Sequence, residues 1–224
     1  PLGSAMNDAS VTPAQKRPRG RPKDAGKRAA LLDAARTLLL TKGPDVSMDE
    51  IASAAHVAKA TLYANFSDKD ALIEEVVRRE SDLTITDEQF RAIRSAPVAQ
   101  ALATFGRNFL AFVNSKDLFA WDSLFAYIAM RDSEAPKRFF DLGPGRGQRL
   151  LEDLIAAAIG RGELAAADPH QAADVLVGLW LGFTNLEIKL GMRPQLSSKE
   201  LSERVSRGIG MFLLLYPPVE TSAE

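Results

Sequence analysis

The sequence predicts an all-α protein, on three observations. Apolar residues recur at the i, i+3, i+4, i+7 spacing of a helical face. No stretch sustains the two-residue alternation of a strand, and no Asn-Gly or Asp-Gly hairpin turn occurs. A chain of 224 residues, 46% hydrophobic, is also long enough to bury a real core. The absence of cysteine excludes disulfides, thiolate nucleophiles and cysteine zinc sites. Only two histidines occur, His56 and His170, which excludes a multi-histidine metal site.

Pro1-Leu2-Gly3-Ser4 reads as a protease-cleavage scar, with the native start near Met6. The following Pro-, Ala-, Lys- and Arg-rich stretch has no apolar run of a signal peptide and too little apolar surface to fold. Residues 1–23 are therefore expected to be scar and disordered basic arm. A first helix runs from about 24 to 42, with Ala30, Leu31, Ala34, Ala35, Leu38 and Leu39 on one face, and Gly43-Pro44 stops it. Ser47 with Glu50 three residues on is a capping box, opening a short helix over 48 to 55. After His56-Val57-Ala58 a second short helix covers 59 to 66. Ser67-Asp68-Lys69-Asp70 caps a fourth, with Leu72, Ile73, Val76 and Val77 on one side. Further helices are expected over 87–94, 97–114, 117–131, 145–161, 169–190 and 198–215. The segment holding Pro136 and Gly143-Pro144-Gly145 reads as a loop. Gly143 to Gly147 follows no strand and has no phosphate-binding lysine, which argues against an anion cradle.

From Ala172 to Leu186 nearly every residue is apolar or small, so both sides of that helix should be covered, with Gly178 and Gly182 admitting a close neighbour. Its apolar run falls short of the ~20 residues that span a bilayer. No membrane partner is expected, and the chain reads as cytoplasmic. The net charge of −1 hides an asymmetry: residues 16 to 66 hold ten Lys/Arg against five Asp/Glu, leaving −6 for the rest. A basic N-terminal part on an acidic body suggests an anionic partner at one end.

Two short helices joined by a three-residue turn are the geometry of a helix-turn-helix, whose second helix enters the major groove. Ile51, Ala52, Ala55, Val57, Leu62 and Phe66 would lock the pair, leaving Lys59, Thr61, Tyr63 and Asn65 outward. Those types suit phosphates and base edges. By pattern alone a small helical hairpin with a polar face fits equally well.

Val46-Ser47-Met48-Asp49-Glu50-Ile51-Ala52, then Ala55 to Phe66 with its Thr61-Leu62-Tyr63-x-x-Phe66 core, then Lys69 and Leu72, resemble the DNA-binding domain of TetR-type bacterial transcriptional regulators. The resemblance spans about 27 to 75. Two positions depart from the family pattern: His56 stands where Gly is usual, and Asn65 where His is usual. His tolerates positive φ better than most side chains. The resemblance implies a three-helix DNA-binding domain over 24–75 and a helical ligand-binding and dimerisation domain over 76–218. It also implies phosphate contacts from Ser47 and Lys69, groove positions for Lys59, Thr61, Tyr63 and Asn65, with Tyr63 and Asn65 mostly on backbone, and a homodimer joined through the last two helices on a palindromic double-stranded operator. An unknown small-molecule effector would lie among the aromatic residues of the body, with Phe109, Trp121, Phe125, Trp180 and Phe183 as candidates and Asn108, Asp122 and Asn185 as polar anchors. Core packing is the competing reading for each.

Lys16-Arg17-Pro18-Arg19-Gly20-Arg21-Pro22-Lys23 holds five cations in eight residues and no acid. Its Arg19-Gly20-Arg21-Pro22 resembles the core of an AT-hook, which places Arg19, Arg21 and Lys23 in an A·T-rich minor groove. An unspecific basic tail is the alternative. The function so implied is a repressor released from its operator by a ligand. The alternative is an architectural protein coating A·T-rich DNA through the arm. An enzyme is the weakest reading: no nucleophile–base pair, metal cluster or cofactor loop is evident, and no cofactor is expected.

Overall fold

A computed structural model describes residues 25–115, 117–130 and 134–219. Arg19, Arg21 and Lys23, and the arm to which they belong, lie outside the described residues. Eleven helices and no strand occur among the described residues. They are α1 (Ala25–Lys42), α2 (Met48–Ala54), α3 (Lys59–Asn65), α4 (Lys69–Thr84), α5 (Asp87–Arg94), α6 (Val98–Val113), α7 (Leu118–Ala129), α8 (Ala135–Leu142), α9 (Pro144–Gly160), α10 (Pro169–Lys189) and α11 (Ser198–Leu215).

Two cores organise them. The first joins Leu31, Ala35 and Leu39 of α1 to Ile51, Leu62 and Phe66, to Leu72 and Val76 of α4, and to Trp121, Leu124 and Phe139 of α7 and α8. The second packs α5, α6, α9, α10 and α11 around Leu102, Phe105, Ile155, Leu176, Trp180 and Phe212. Local signals explain most helix starts. Ser47 and Ser197 form reciprocal capping boxes with Glu50 and Glu200, and Thr86 does so with Gln89. Asp68 caps α4 by accepting from the Ala71 N–H at 2.8 Å.

The segment read as a loop around Pro136 and Gly143 is corrected. Pro136 sits in the first turn of α8, where its missing N–H costs nothing, and Gly143 ends that helix. Pro144 then starts α9 at once, so Gly145, Arg146 and Gly147 are helical. The expectation that α10 is covered on both sides is also corrected for the protomer. Phe183 is 83% exposed, and Leu186, Leu190 and, from α11, Leu214 are exposed too.

Trp180 fixes the second core. A Cβ added to Gly208 would lie 2.5 Å from Trp180 Cδ1, and one added to Gly106 2.7 Å from Trp180 Cζ2. The indole is therefore clamped between α6 and α11 only because both lack a side chain there, and its Nε1–H donates to the Val205 carbonyl at 3.3 Å. Two residues on, α10 breaks: Gly182 adopts φ 48° and ψ −163°. Arg204 of α11 satisfies the carbonyls so freed, donating to Trp180 O, to Leu181 O at 2.6 Å and to Thr184 Oγ1 at 3.0 Å. Gly182 thus serves a break in the helix as well as a close neighbour, since a Cβ added there would lie 3.0 Å from Arg204 Nη2, whereas nothing lies within 4 Å at Gly178. Gly208→Ala is expected to lower stability by about 1–3 kcal/mol through overpacking, read as a fall in the urea midpoint.

Candidate nucleic-acid interface and adjoining cavity

The turn between α2 and α3 is built on one unusual backbone angle. His56 has φ 54°, the one positive φ at a non-glycine among the described residues. The reversal lets the Val57 N–H reach Ala52 O at 2.9 Å and the His56 N–H reach Ser53 O at 3.1 Å. Ala52, Leu62 and Phe66 are buried, with Ala55 and Val57 packed against them, so the two short helices are locked as their apolar pattern anticipates.

Locking that face turns the other one out. Lys59, Ala60, Tyr63 and Ala64 are exposed on α3, Tyr63 at 53%, and Thr61 is half-buried. Asn65 is half-buried and donates from Nδ2 to Thr61 O at 2.8 Å, within its own helix. Lys59 pairs with Asp49 of α2, a partner the sequence pattern did not suggest. Lys69 donates to the Pro44 carbonyl, which brings the start of α4 beside the loop before α2. Ser47 stands in the same loop, its N–H and hydroxyl both 2.9 Å from Glu50 Oε2. Ser47 and Lys69 therefore flank the α2–α3 unit while Lys59 and Tyr63 stand on its open face. Arg28 supports the unit from α1: its guanidinium lies 5.4 Å from the centre of the Phe66 ring and 2.7 Å from Glu75.

Beyond this unit lies a cavity of about 280 Å³, bounded by α4, α6, α7, α10 and the α8–α9 junction. Phe109, Trp121 and Phe125 line it, together with Asp122 and Asn185. Trp180 is sealed in the second core, Phe183 faces outward, and neither Phe183 nor Asn108 is among the lining residues. Sequence periodicity could not separate these aromatics, because it marks an apolar face without saying which faces leave a gap. It also missed Val77, Glu80, Phe105, Phe112, Arg146 and Lys189 in the lining. For Glu80 the one available signal was a carboxylate on the apolar side of α4. It is 8% exposed and accepts from Arg36 Nε at 2.8 Å, while Arg36 Nη2 reaches Asp117 at 2.5 Å. The Glu80 hydrogen bond, ahead of Asp117, raises the Arg36 pKa above its ordinary value.

This arrangement ties the cavity to the exposed helices. Val77, Trp121 and Phe125 line the cavity and also pack in or against the core that holds Ile51 and Leu62. The Trp121 and Phe125 rings stack at 5.7 Å, and Phe125 meets Phe139 at 5.8 Å. Arg36 pins α1 to α4 and to the residue before α7, and the Tyr127 hydroxyl of α7 donates to Asp45 at 2.7 Å, just before α2. Among the described residues no cluster of His, Asp and Glu could hold a metal, and no helix is long and apolar enough to cross a membrane.

Comparisons with known proteins agree with this geometry. The family model for bacterial regulatory proteins of the tetR family matches residues 31–76, and that for the AefR-like transcriptional repressor C-terminal domain matches residues 100–218. The chain is 37% identical over 165 residues to the uncharacterized HTH-type transcriptional regulator YdeS of Bacillus subtilis (strain 168), covering 71% of this chain and 79% of that one. Among solved structures, the flavonoid-responsive regulator FrrA is 29% identical with a TM-score of 0.67, over 86% of this chain and 97% of that one. A TetR-family regulator from Mesorhizobium loti MAFF303099 has the same fold, with a TM-score of 0.72 at 24% identity, over 89% of this chain and all (100%) of that one.

Two measurements test the local geometry. At His56 the left-handed backbone costs a side chain roughly 1–2 kcal/mol, and a β-branched residue fits worst there. His56→Val is therefore expected to melt lower than the parent, and His56→Gly at least as high. The second concerns the capping box. Hydrogen bonds from the Ser47 N–H, then from its hydroxyl, then from Lys42, hold the Glu50 carboxyl down at about 2. A depressed carboxylate stabilises the fold above its unfolded value and loses that effect as pH falls toward the folded one. Ser47→Ala should cost about 1 kcal/mol near neutral pH, and the gap from the parent should narrow as unfolding is measured from pH 5 down to pH 2.

Proposed function

From the premise that this chain belongs to the TetR family of bacterial transcriptional regulators, and is not an enzyme, we propose that it is a repressor released from a palindromic operator by a small-molecule ligand. The observation that carries the proposal is the shared core: side chains that line the cavity also pack on the helices that would read DNA. A ligand that displaces α7 acts on α1 through Arg36 and on the loop before α2 through Tyr127. A difference of only ~1–3 kcal/mol between two states would switch operator affinity 5–150-fold. The neighbour described as flavonoid-responsive supports a small-molecule effector in the cavity. Phe109, Trp121 and Phe125 line it and are its proposed contacts.

Lys59, Thr61, Tyr63 and Asn65 are the proposed groove residues, Tyr63 and Asn65 mostly on backbone phosphates, and Ser47 and Lys69 are further phosphate contacts. One short recognition helix reads few bases, so two copies on half-sites one helical turn apart supply the specificity. The exposed Phe183, Leu186, Leu190 and Leu214 on the last two long helices support a homodimer through that face. Arg19, Arg21 and Lys23 are proposed to lie in the flanking minor groove. The proposed place of action is the cytoplasm.

Selection of bound duplexes from a random DNA library tests this reading. A two-fold palindrome is the expected product, whereas A·T runs without symmetry would mean that the arm alone drives binding. On the selected site Tyr63→Phe should weaken binding roughly fivefold, the worth of one hydrogen bond, with unchanged thermal unfolding. Unchanged affinity would remove Tyr63 from the phosphate contacts.

A further inference from the structure

The cavity's chemistry specifies more than its existence, once it is taken as the effector site proposed above. Its walls are aromatic: Phe105, Phe109, Phe112, Trp121 and Phe125. Four of these rings form two stacked pairs, Phe105 with Phe109 at ring planes 15° apart and Trp121 with Phe125 at 28°. Rings of a ligand gain offset-stacked or edge contacts on such walls beyond simple apolar burial.

The charged residues of the lining are all paired with opposite charges. Glu80 meets Arg36 at 2.8 Å, Asp122 meets Lys189 at 2.6 Å, and Arg146 meets Asp87 at 2.7 Å. Arg146 is further occupied by the Ile85 carbonyl at 3.0 Å and by Asp82 at 3.6 Å. A carboxylate or ammonium on the ligand would have to break one of these pairs or go unpaired, and either outcome is costly away from water.

One polar demand in the lining is unmet. Trp121 is 4% exposed, and its indole Nε1–H meets no acceptor among the described residues. Buried donors in native structures are nearly always satisfied, and each exception calls for a reason. Nε1 itself presents almost no surface to the cavity, so a ligand oxygen or nitrogen supplies that acceptor only by a turn of the ring, whose residue forms part of the wall. Size sets the remaining bound. An apolar cavity of about 150 Å³ accepts benzene, so one of about 280 Å³ admits two rings or slightly more.

We infer that the effector is an uncharged aromatic molecule of about two rings bearing a hydrogen-bond acceptor, such as an aryl ketone, to which Trp121 Nε1–H donates. The inference rests on the effector reading and narrows it to a chemical class. It excludes fatty acids and aromatic carboxylates as preferred ligands.

Four probes separate the terms: benzophenone, its deoxygenated analogue diphenylmethane, its anionic analogue 4-benzoylbenzoate, and dodecanoate. Binding to the full chain is measured by equilibrium dialysis, and photo-crosslinking of benzophenone maps where it sits. Benzophenone should bind at least tenfold tighter than either carboxylate and crosslink to cavity residues. Trp121→Phe, which keeps an aromatic ring, should weaken benzophenone about fivefold and leave diphenylmethane unchanged. Equal losses for both would overturn the acceptor contact. If the variant does not fold, the parent decides: benzophenone held no tighter than diphenylmethane overturns it as well. Carboxylates binding as tightly as benzophenone would overturn the inference and leave an effector site standing. Entry of none of the four would remove the effector reading together with this one.

Discussion

The α1–α3 unit cannot bury its own apolar surface, and this constraint shapes the molecule. So few residues enclose too small a core to stand alone. The deficit is made up by α4, α7 and α8, whose Leu72, Val76, Trp121, Leu124 and Phe139 complete the cluster begun by Leu31 and Ile51. The unit is therefore stable only as part of the body. The same dependence makes it responsive, because a change in α7 is a change in its own core. Polar contacts follow the same lines: Arg36 to Glu80 and Asp117, and Tyr127 to Asp45, cross where the apolar clusters meet.

Where structure follows from adjacent residues, the sequence was readable. Ser47 with Glu50, and Asp68 before α4, announce helix starts because a cap needs only neighbours three residues apart. The α2–α3 turn was readable at His56, which takes the positive φ that the family pattern normally assigns to Gly. The exposure of Lys59 and Tyr63 follows directly from the burial of Leu62 and Phe66. Features set by distant residues were not readable. The short α8 sits between a proline and a glycine that both look like breakers, and only its packing on α4, α7 and α9 makes it a helix. The break at Gly182 lies in the most apolar run of the chain, and the arginine that satisfies its carbonyls comes from the next helix. Of the five candidate aromatics, the three that line the cavity and the two that do not lie on similar apolar faces. What separates them is the gap left by neighbouring helices.

The cavity combines two kinds of wall that pull in different directions. Aromatic faces favour any apolar guest, while the paired charges at its margin disfavour ionic ones. Glu80 belongs to both the margin and the pin that holds α1. A guest that disturbed its pair with Arg36 would loosen α1 from α4 and leave a buried carboxylate unpaired. On the effector reading proposed above, selectivity and signal would share one ion pair, whose partners stand 2.8 Å apart.

The break in α10 carries a consequence of its own. Beyond Gly182 the short remainder of the helix carries Asn185 and Lys189 in the cavity lining, and Phe183 and Leu186 exposed. Arg204 anchors both sides of the break to α11, at the Leu181 carbonyl before it and the Thr184 hydroxyl after it, and makes Gly182 the natural pivot of a lever. Guest and neighbouring copy would then press on opposite sides of one lever. Thermodynamic linkage makes such pressure mutual: whatever occupancy does to association, association does to occupancy by the same factor. The affinity for a guest would then vary with the protein's own concentration.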